Sequence, residues 1–172
     1  MAAFPSSVGI QSMTMRLRSA VAVSTSPFTF DQQVVAHQGV RWEAEVTLPP
    51  LKRADAKAVE AFLASVIQGD TFTLGNPLHN LPAASGSVSG SVGDTSVTLS
   101  VSGATTGDYF DIGDRLYIIT GAGSIMPPLR TAGGTCSFSN PQGTWRLASN
   151  QIDWSVDRAS IYGFTFACVE AI

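Results

Sequence analysis

The chain has 172 residues, a formal net charge of -3 and 13% charged residues, enough for one good core or one domain carrying a smaller module, but tight for two full domains. That charge balance excludes both the basic footprint of a nucleic-acid binder and an acidic interaction tail. Hydrophobic content of 44%, with Lys52 and Lys57 the sole lysines, is rich for a free monomer and predicts that part of the surface is buried against other subunits.

Residues Met1 to Ile10 hold no basic stretch followed by an apolar run, and no stretch approaches about 18 consecutive apolar residues. The expectation is synthesis in the cytoplasm, with neither a signal peptide nor a membrane span. The first strand is predicted from Gln11 to Val23, with Met13, Met15, Leu17, Val21 and Val23 on one face and Thr14, Arg16 and Arg18 on a cationic opposite face. Ser24 to Pro27 reads as a turn. Phe28 to His37 reads as a second strand with a change of phase that implies a bulge, closed by Gln38-Gly39. Val40 to Leu48 is the cleanest strand, with Trp42, Ala44, Val46 and Leu48 inward and Arg41, Glu43, Glu45 and Thr47 outward.

From Arg53 to Gln68 the period becomes helical, with Val59, Phe62, Leu63 and Val66 in one stripe, Asp55 in the first turn and Gly69 just past the end. A one-sided stripe predicts a helix lying on a sheet. A short strand, Asp70 to Leu74, follows. Composition then shifts: Pro82 to Gly93 is rich in Gly, Ser and Ala and reads as a flexible loop, leading to a strand at Thr95 to Val101. Asp108 to Ile112 and Arg115 to Thr120 read as a hairpin turning at Gly113-Asp114. These features predict a small all-β insertion at about 82–140 within a core domain formed by 1–81 and 141–172.

The last segment alternates again. Ile152, Trp154 and Val156 oppose Gln151, Asp153, Ser155 and Asp157; after a turn at Asp157 to Ser160, Tyr162, Phe164, Phe166 and Cys168 share one face. A terminus of this kind predicts a strand locked into the core. Core positions are expected for Trp42 and Trp154, while Trp145 lies near a turn with its role open.

Residues that could carry chemistry are sparse. His37 and His79 lie at unrelated loop edges and are expected to be exposed or locally bonded, not metal ligands. Asp108, Asp111 and Asp114 have the spacing of hard oxygen ligands, but Tyr109, Phe110 and Ile112 between them read as strand, so turn formation is the expectation. Cys136 and Cys168 read as buried thiols. Neither a nucleophile elbow nor a phosphate-cradling glycine loop is present, because Gly86-Ser87-Val88-Ser89-Gly90 has valine where a nucleophile would stand. No cofactor, metal or catalytic residue is assigned.

Three stretches carry a resemblance. Arg41 to Leu51, followed by a helix with Ala61-Phe62-Leu63 and by Gly69 to Pro77, is similar to minor tail proteins of long-tailed, siphovirus-type bacteriophages, as are Ile112 to Tyr117 and the pair Trp145 to Leu147 and Tyr162 to Ala171. Together they span about a third of the chain, in the order of that family. Within it the chain most resembles a distal tail protein. The resemblance implies a β-sandwich related to the tail-tube fold with one helix packed on it. It also implies a virion tail-tip location and a homo-oligomeric, hexameric ring between the tail-tube protein and the tail-tip hub protein, with the tape-measure protein as a further neighbour. DNA would pass through without specific binding. Some members carry an appended carbohydrate-binding-like or metal-binding module, and the ending at a core strand implies none here. Arg16, Arg18, Gln32, Gln33 and His37 are the expected subunit or ring contacts. The alternatives are a receptor- or saccharide-binding module using the insertion, which needs Tyr109, Phe110 and Tyr117 at the surface, and a cell-wall hydrolase, which needs an acid/base pair that the sequence does not reveal.

Overall fold

Alternating side chains form a strand of the core wherever one phase finds a cover, and Trp42, Ala44, Val46 and Leu48 all do: each is buried. A computed structural model describes residues 2–77 and 79–172, so Met1, where the reading of the N-terminal segment began, and Leu78 lie outside the described residues. The first half comprises β1 (Ala2–Ala3), β2 (Ser12–Thr25), β3 (Gln32–Thr47), β4 (Leu51–Lys52), α1 (Arg53–Val66) and β5 (Phe72–Gly75). Next come β6 (Ser85–Ser89), β7 (Thr98–Ser102), β8 (Tyr109–Asp111), β9 (Leu116–Gly121), β10 (Ser124–Met126) and β11 (Thr135–Ser137). The chain closes with β12 (Gln142–Leu147), β13 (Trp154–Val156) and β14 (Ile161–Glu170).

The architecture is mainly β, with two sheets, one curled into a half-barrel, and a single helix among the described residues, consistent with a β-sandwich carrying one helix. The first sheet has the order β1-β5-β12-β14-β3-β2, with β4 and β13 also pairing with β14. The α1 stripe meets it: Val59, Phe62, Leu63 and Val66 join Trp42, Val46, Phe72, Phe164 and Phe166 in one core. Phe62 sets its ring edge-on to Phe72 at 5.3 Å and 87°. Each such fully buried side chain contributes about 1.5–3 kcal/mol relative to exposure. The helix has no side-chain N-cap; its start is tied down by Arg53, which donates to the Tyr162 hydroxyl and lies over that ring. Gly69, with φ of +92°, turns the chain past the helix end.

The strands between Ser85 and Ser137 pair among themselves in the order β10-β9-β8-β11-β6-β7. They enclose a second core of Val88, Phe110, Tyr117, Ile125, Leu129 and Phe138, among others. The β8–β9 turn places Gly113 and Asp114 at φ of 58° and 60°, the doubly positive backbone that a tight hairpin of this twist demands.

Four sequence expectations need correction. Phe28 to His37 and Val40 to Leu48 are not two strands: β3 runs unbroken through Gln38-Gly39, and the register shift against Ser19 and Val21 marks a bulge. Phe28 and Phe30 lie in the turn before it. The Gly/Ser-rich segment is not wholly a loop, because β6 lies inside it, and Gly86 is required there: a Cβ would stand against the Ser100 carbonyl oxygen of β7. Trp154, expected in the core, is 47% exposed on the short β13, while Trp145, whose role was open, is buried with its indole N–H donating to Leu74 O at 3.2 Å.

Replacing Gly86 by alanine is therefore expected to destabilise the fold by about 1–3 kcal/mol through overpacking. Gly9→Ala, whose added methyl meets nothing within 4 Å, leaves it unchanged; urea denaturation of both variants checks the contrast.

Candidate assembly surface

Strands β2 and β3 pair from Ser12↔Thr47 out to Thr25↔Gln32. β14 supports β3 only between Glu43 and Thr47. Beyond Ser19 and Val40 the two strands therefore leave the body as a ribbon, hereafter the arm. Every residue from Arg16 to Gly39 is exposed except the half-buried Ser26. The arm's apolar phase, Val21 and Val23 opposite Ala36 and Val34, continues the phase that buries Met13 nearer the body, but nothing covers it.

The tip is well defined. Ser26 N–H donates to Asp31 O at 2.9 Å and Phe30 N–H to Ser26 O at 3.0 Å, while the Ser26 hydroxyl accepts from the N–H groups of Phe28 and Thr29, each at 3.3 Å. Phe28 and Phe30 are 91% and 78% exposed.

The arm's root is fixed by a buried polar cluster. The Glu170 carboxylate accepts the Trp42 N–H at 3.0 Å, just where β14 stops pairing with β3, and holds Arg130 at 3.3 Å. Arg130, from the loop before β11, also donates to the Val40 carbonyl, and its own N–H donates to the Tyr117 hydroxyl at 2.9 Å. Trp42 closes the joint by donating its indole N–H to Leu116 O at 2.9 Å. Arg115 reaches the Ala171 carbonyl. The second sheet and the arm root are thus parts of one hydrogen-bonded unit.

Of the expected contact residues, all five lie exposed on the β2–β3 hairpin, but they do not form one patch. Arg16 and Arg18 stand near the root, His37 at the bulge, and Gln32 beside the tip, opposite Thr25. At about 3.3 Å per residue, the nine-residue interval from Arg16 to Thr25 separates the two ends by roughly 30 Å. The root face is less cationic than expected, since its three arginines, Arg16, Arg18 and Arg41, meet two carboxylates, Glu43 and Glu45. Across the ladder Arg16 pairs with Glu45 at 3.4 Å and Arg18 with Glu43 at 3.5 Å, and along β3 Arg41 pairs with Glu43 at 2.8 Å. The hydrogen bond from Arg41 holds the Glu43 carboxyl below the ordinary value of 4.5. Sequence reasoning missed Glu170 and Arg130; the available signal was a glutamate on the apolar phase of Tyr162, Phe164, Phe166 and Cys168.

Elsewhere the chemistry is structural. Asp108 accepts from Thr105 N–H and hydroxyl, Asp111 from Gln142 N–H at 2.7 Å, and Asp114 occupies the hairpin turn. Burial pushes the Asp111 carboxyl up, and the Cys168 thiol up to about 12. His79 packs its ring against Tyr109, the centroids 4.4 Å apart and the planes tilted by 40°. Among the described residues no group of three His, Cys, Asp or Glu side chains is placed to hold a metal ion, and no helix is long and apolar enough to cross a membrane. No known family model matches the chain, and no curated protein matches it.

Glu170→Ala leaves Arg130 and the Trp42 N–H without their buried acceptor and is expected to cost about 3–5 kcal/mol; Glu170→Gln, which keeps one acceptor, costs less, as thermal or urea unfolding will read. Because the folded-state value of Glu43 lies below the unfolded one, its contribution to stability is present above pH 4.5 and is lost as pH falls through the folded value. Arg41→Ala should raise the Glu43 titration midpoint toward 4.5 in carboxyl-carbon NMR.

Proposed function

We propose that the chain is a structural subunit of the tail tip of a long-tailed bacteriophage, a distal tail protein. Six copies close a ring that joins tail tube to hub and leaves a passage for DNA. The observation that carries this reading is the arm. A two-stranded ribbon with both faces in water is at best marginally stable by itself. Its edges show none of the lysines or prolines that keep a free sheet edge from pairing. An arm of this kind is expected where another protein surface receives it. The resemblance of Arg41 to Pro77, Ile112 to Tyr117 and the closing strands to minor tail proteins names the setting, and a mainly β body with one helix is the fold which that resemblance implies.

The mechanism follows from what a ring around DNA must do. Each copy must offer complementary surfaces, so that association closes and does not stack indefinitely. The wall must also let a polyanion slide, which a row of unpaired arginines would hinder by binding phosphates. The pairing of Arg16, Arg18 and Arg41 with Glu43 and Glu45 supports such a wall. Tube and hub then stack on the two open faces of the ring, with the tape-measure protein threading the tube. The role is mechanical and the reading assigns no catalytic residue. The saccharide-binding alternative gains no support from the aromatics it needs, since Phe110 and Tyr117 are fully buried and Tyr109 packs against Trp42 and His79.

Native mass spectrometry and negative-stain imaging of the purified full chain provide the test. A mass of six 18.0 kDa subunits and an annular particle with an open centre are expected; a strict monomer at every concentration would contradict the reading.

A further inference from the structure

We propose that the arm tip is the knob of a head-to-tail contact between copies of this chain, with Phe28 and Phe30 seated in a cleft beside the β1–β5 edge of the next copy. This rests on the ring reading and adds the contact that closes it.

Three observations converge. Phe30 has φ of 58°, a left-handed backbone that bulky residues rarely adopt and that a turn normally gives to glycine or asparagine. The Ser26 hydrogen bonds hold that conformation, so a strained backbone keeps two aromatic rings in water. Strain of this kind collects where a conformation serves recognition.

The cleft lies at the other end of the same sheet. The order β1-β5-β12-β14-β3-β2 puts the arm strands at one edge and β1 and β5 at the opposite one. Beside β1 and β5 the chain leaves a cleft of about 370 Å³, walled by Phe4, Pro5, Val8, Ile10, Leu74 and Pro77, with no charged side chain in its lining. The arm matches it: from Ser19 to Gly39, Asp31 is the sole Asp, Glu, Lys or Arg. Seating the tip therefore buries two rings and strips water from few charges.

Topology selects the partner. Within one copy Phe28 and Phe30 stand in water and do not occupy the cleft, and knob and hole are unlike surfaces, so the contact that joins them is heterologous. Repeated head to tail, the same contact generates a ring when the rotation closes. Two phenylalanines supply about 300–500 Å² of the roughly 800 Å² per partner that a standard interface buries. Val21, Val23 and Val34 on the arm's apolar face provide the rest.

The test uses two full-length variants. Phe28→Ser/Phe30→Gly removes the knob and relieves the backbone at position 30, so the subunit should keep its fold, read as an unchanged far-UV circular dichroism spectrum, while it loses the stabilisation that assembly supplies. Gly9→Trp puts an indole at a position lining the hole, where the added Cβ itself meets nothing within 4 Å. Each variant alone is expected to be monomeric by light scattering and native mass spectrometry. Their equimolar mixture, which retains one intact knob and one intact hole, is expected to give a heterodimer and no larger species. A ring that survives both variants would overturn this contact while leaving the ring reading in place; a wild-type monomer at every concentration would overturn both. A mixture that stays monomeric also overturns the contact, as does tip-dependent sedimentation on phosphatidylglycerol vesicles with assembly unchanged, which would assign the rings to a lipid surface.

Discussion

Strand β3 is sixteen residues long, yet its inner neighbour β14 accompanies it for only five. That mismatch organises the molecule. Where β14 is present, the inward phase of β3 packs beneath α1 and the core forms; where β14 ends, the same strand continues with β2 alone and becomes the arm. The body has one buried face to stabilise it. The arm has none, and its stability must come from elsewhere.

The point of departure is chemically defined. At the end of β14 the backbone ladder with β3 stops, and the carboxylate of Glu170 takes over as acceptor for the next N–H group, that of Trp42. Arg130 neutralises that carboxylate and reaches the Val40 carbonyl, so the loop before β11 grips the root of the arm. A buried pair of this type gives little net stability but penalises any geometry that separates the partners. Its consequence here is directional: the arm leaves the body along a fixed line, and the second sheet is held to that line through Trp42, Leu116 and Tyr117.

This division explains what the sequence could and could not convey. The helix, the inward set of β3 and the closing strand were legible, because burial against a sheet imposes a period on side chains. The arm was half legible. Val21 and Val23 alternate as faithfully as Met13 and Met15, since alternation records which face a residue occupies and not whether anything covers it. Gln38-Gly39 looked like a strand end but marks a bulge, where Gly39 makes room for Ala20 across the ladder. Trp154 misled for the same reason, while Trp145, whose role near a turn was open, is buried. The partners of the candidate surface were least legible: Glu45 and Glu43 reach Arg16 and Arg18 only because the β2–β3 register sets them diagonally across the ladder, and Glu170 meets Arg130 across forty residues of chain.

The central claim is that the arm is a surface completed by another copy, and amide hydrogen exchange along residues 19–39 addresses it most directly. In dilute monomer the outward-facing amides of the ribbon should exchange fast. In the concentrated assembly the account predicts that the amides of 21–25 and 28–36 become protected while the body's protection stays as it was. Equal and rapid exchange of the arm in both states would contradict it.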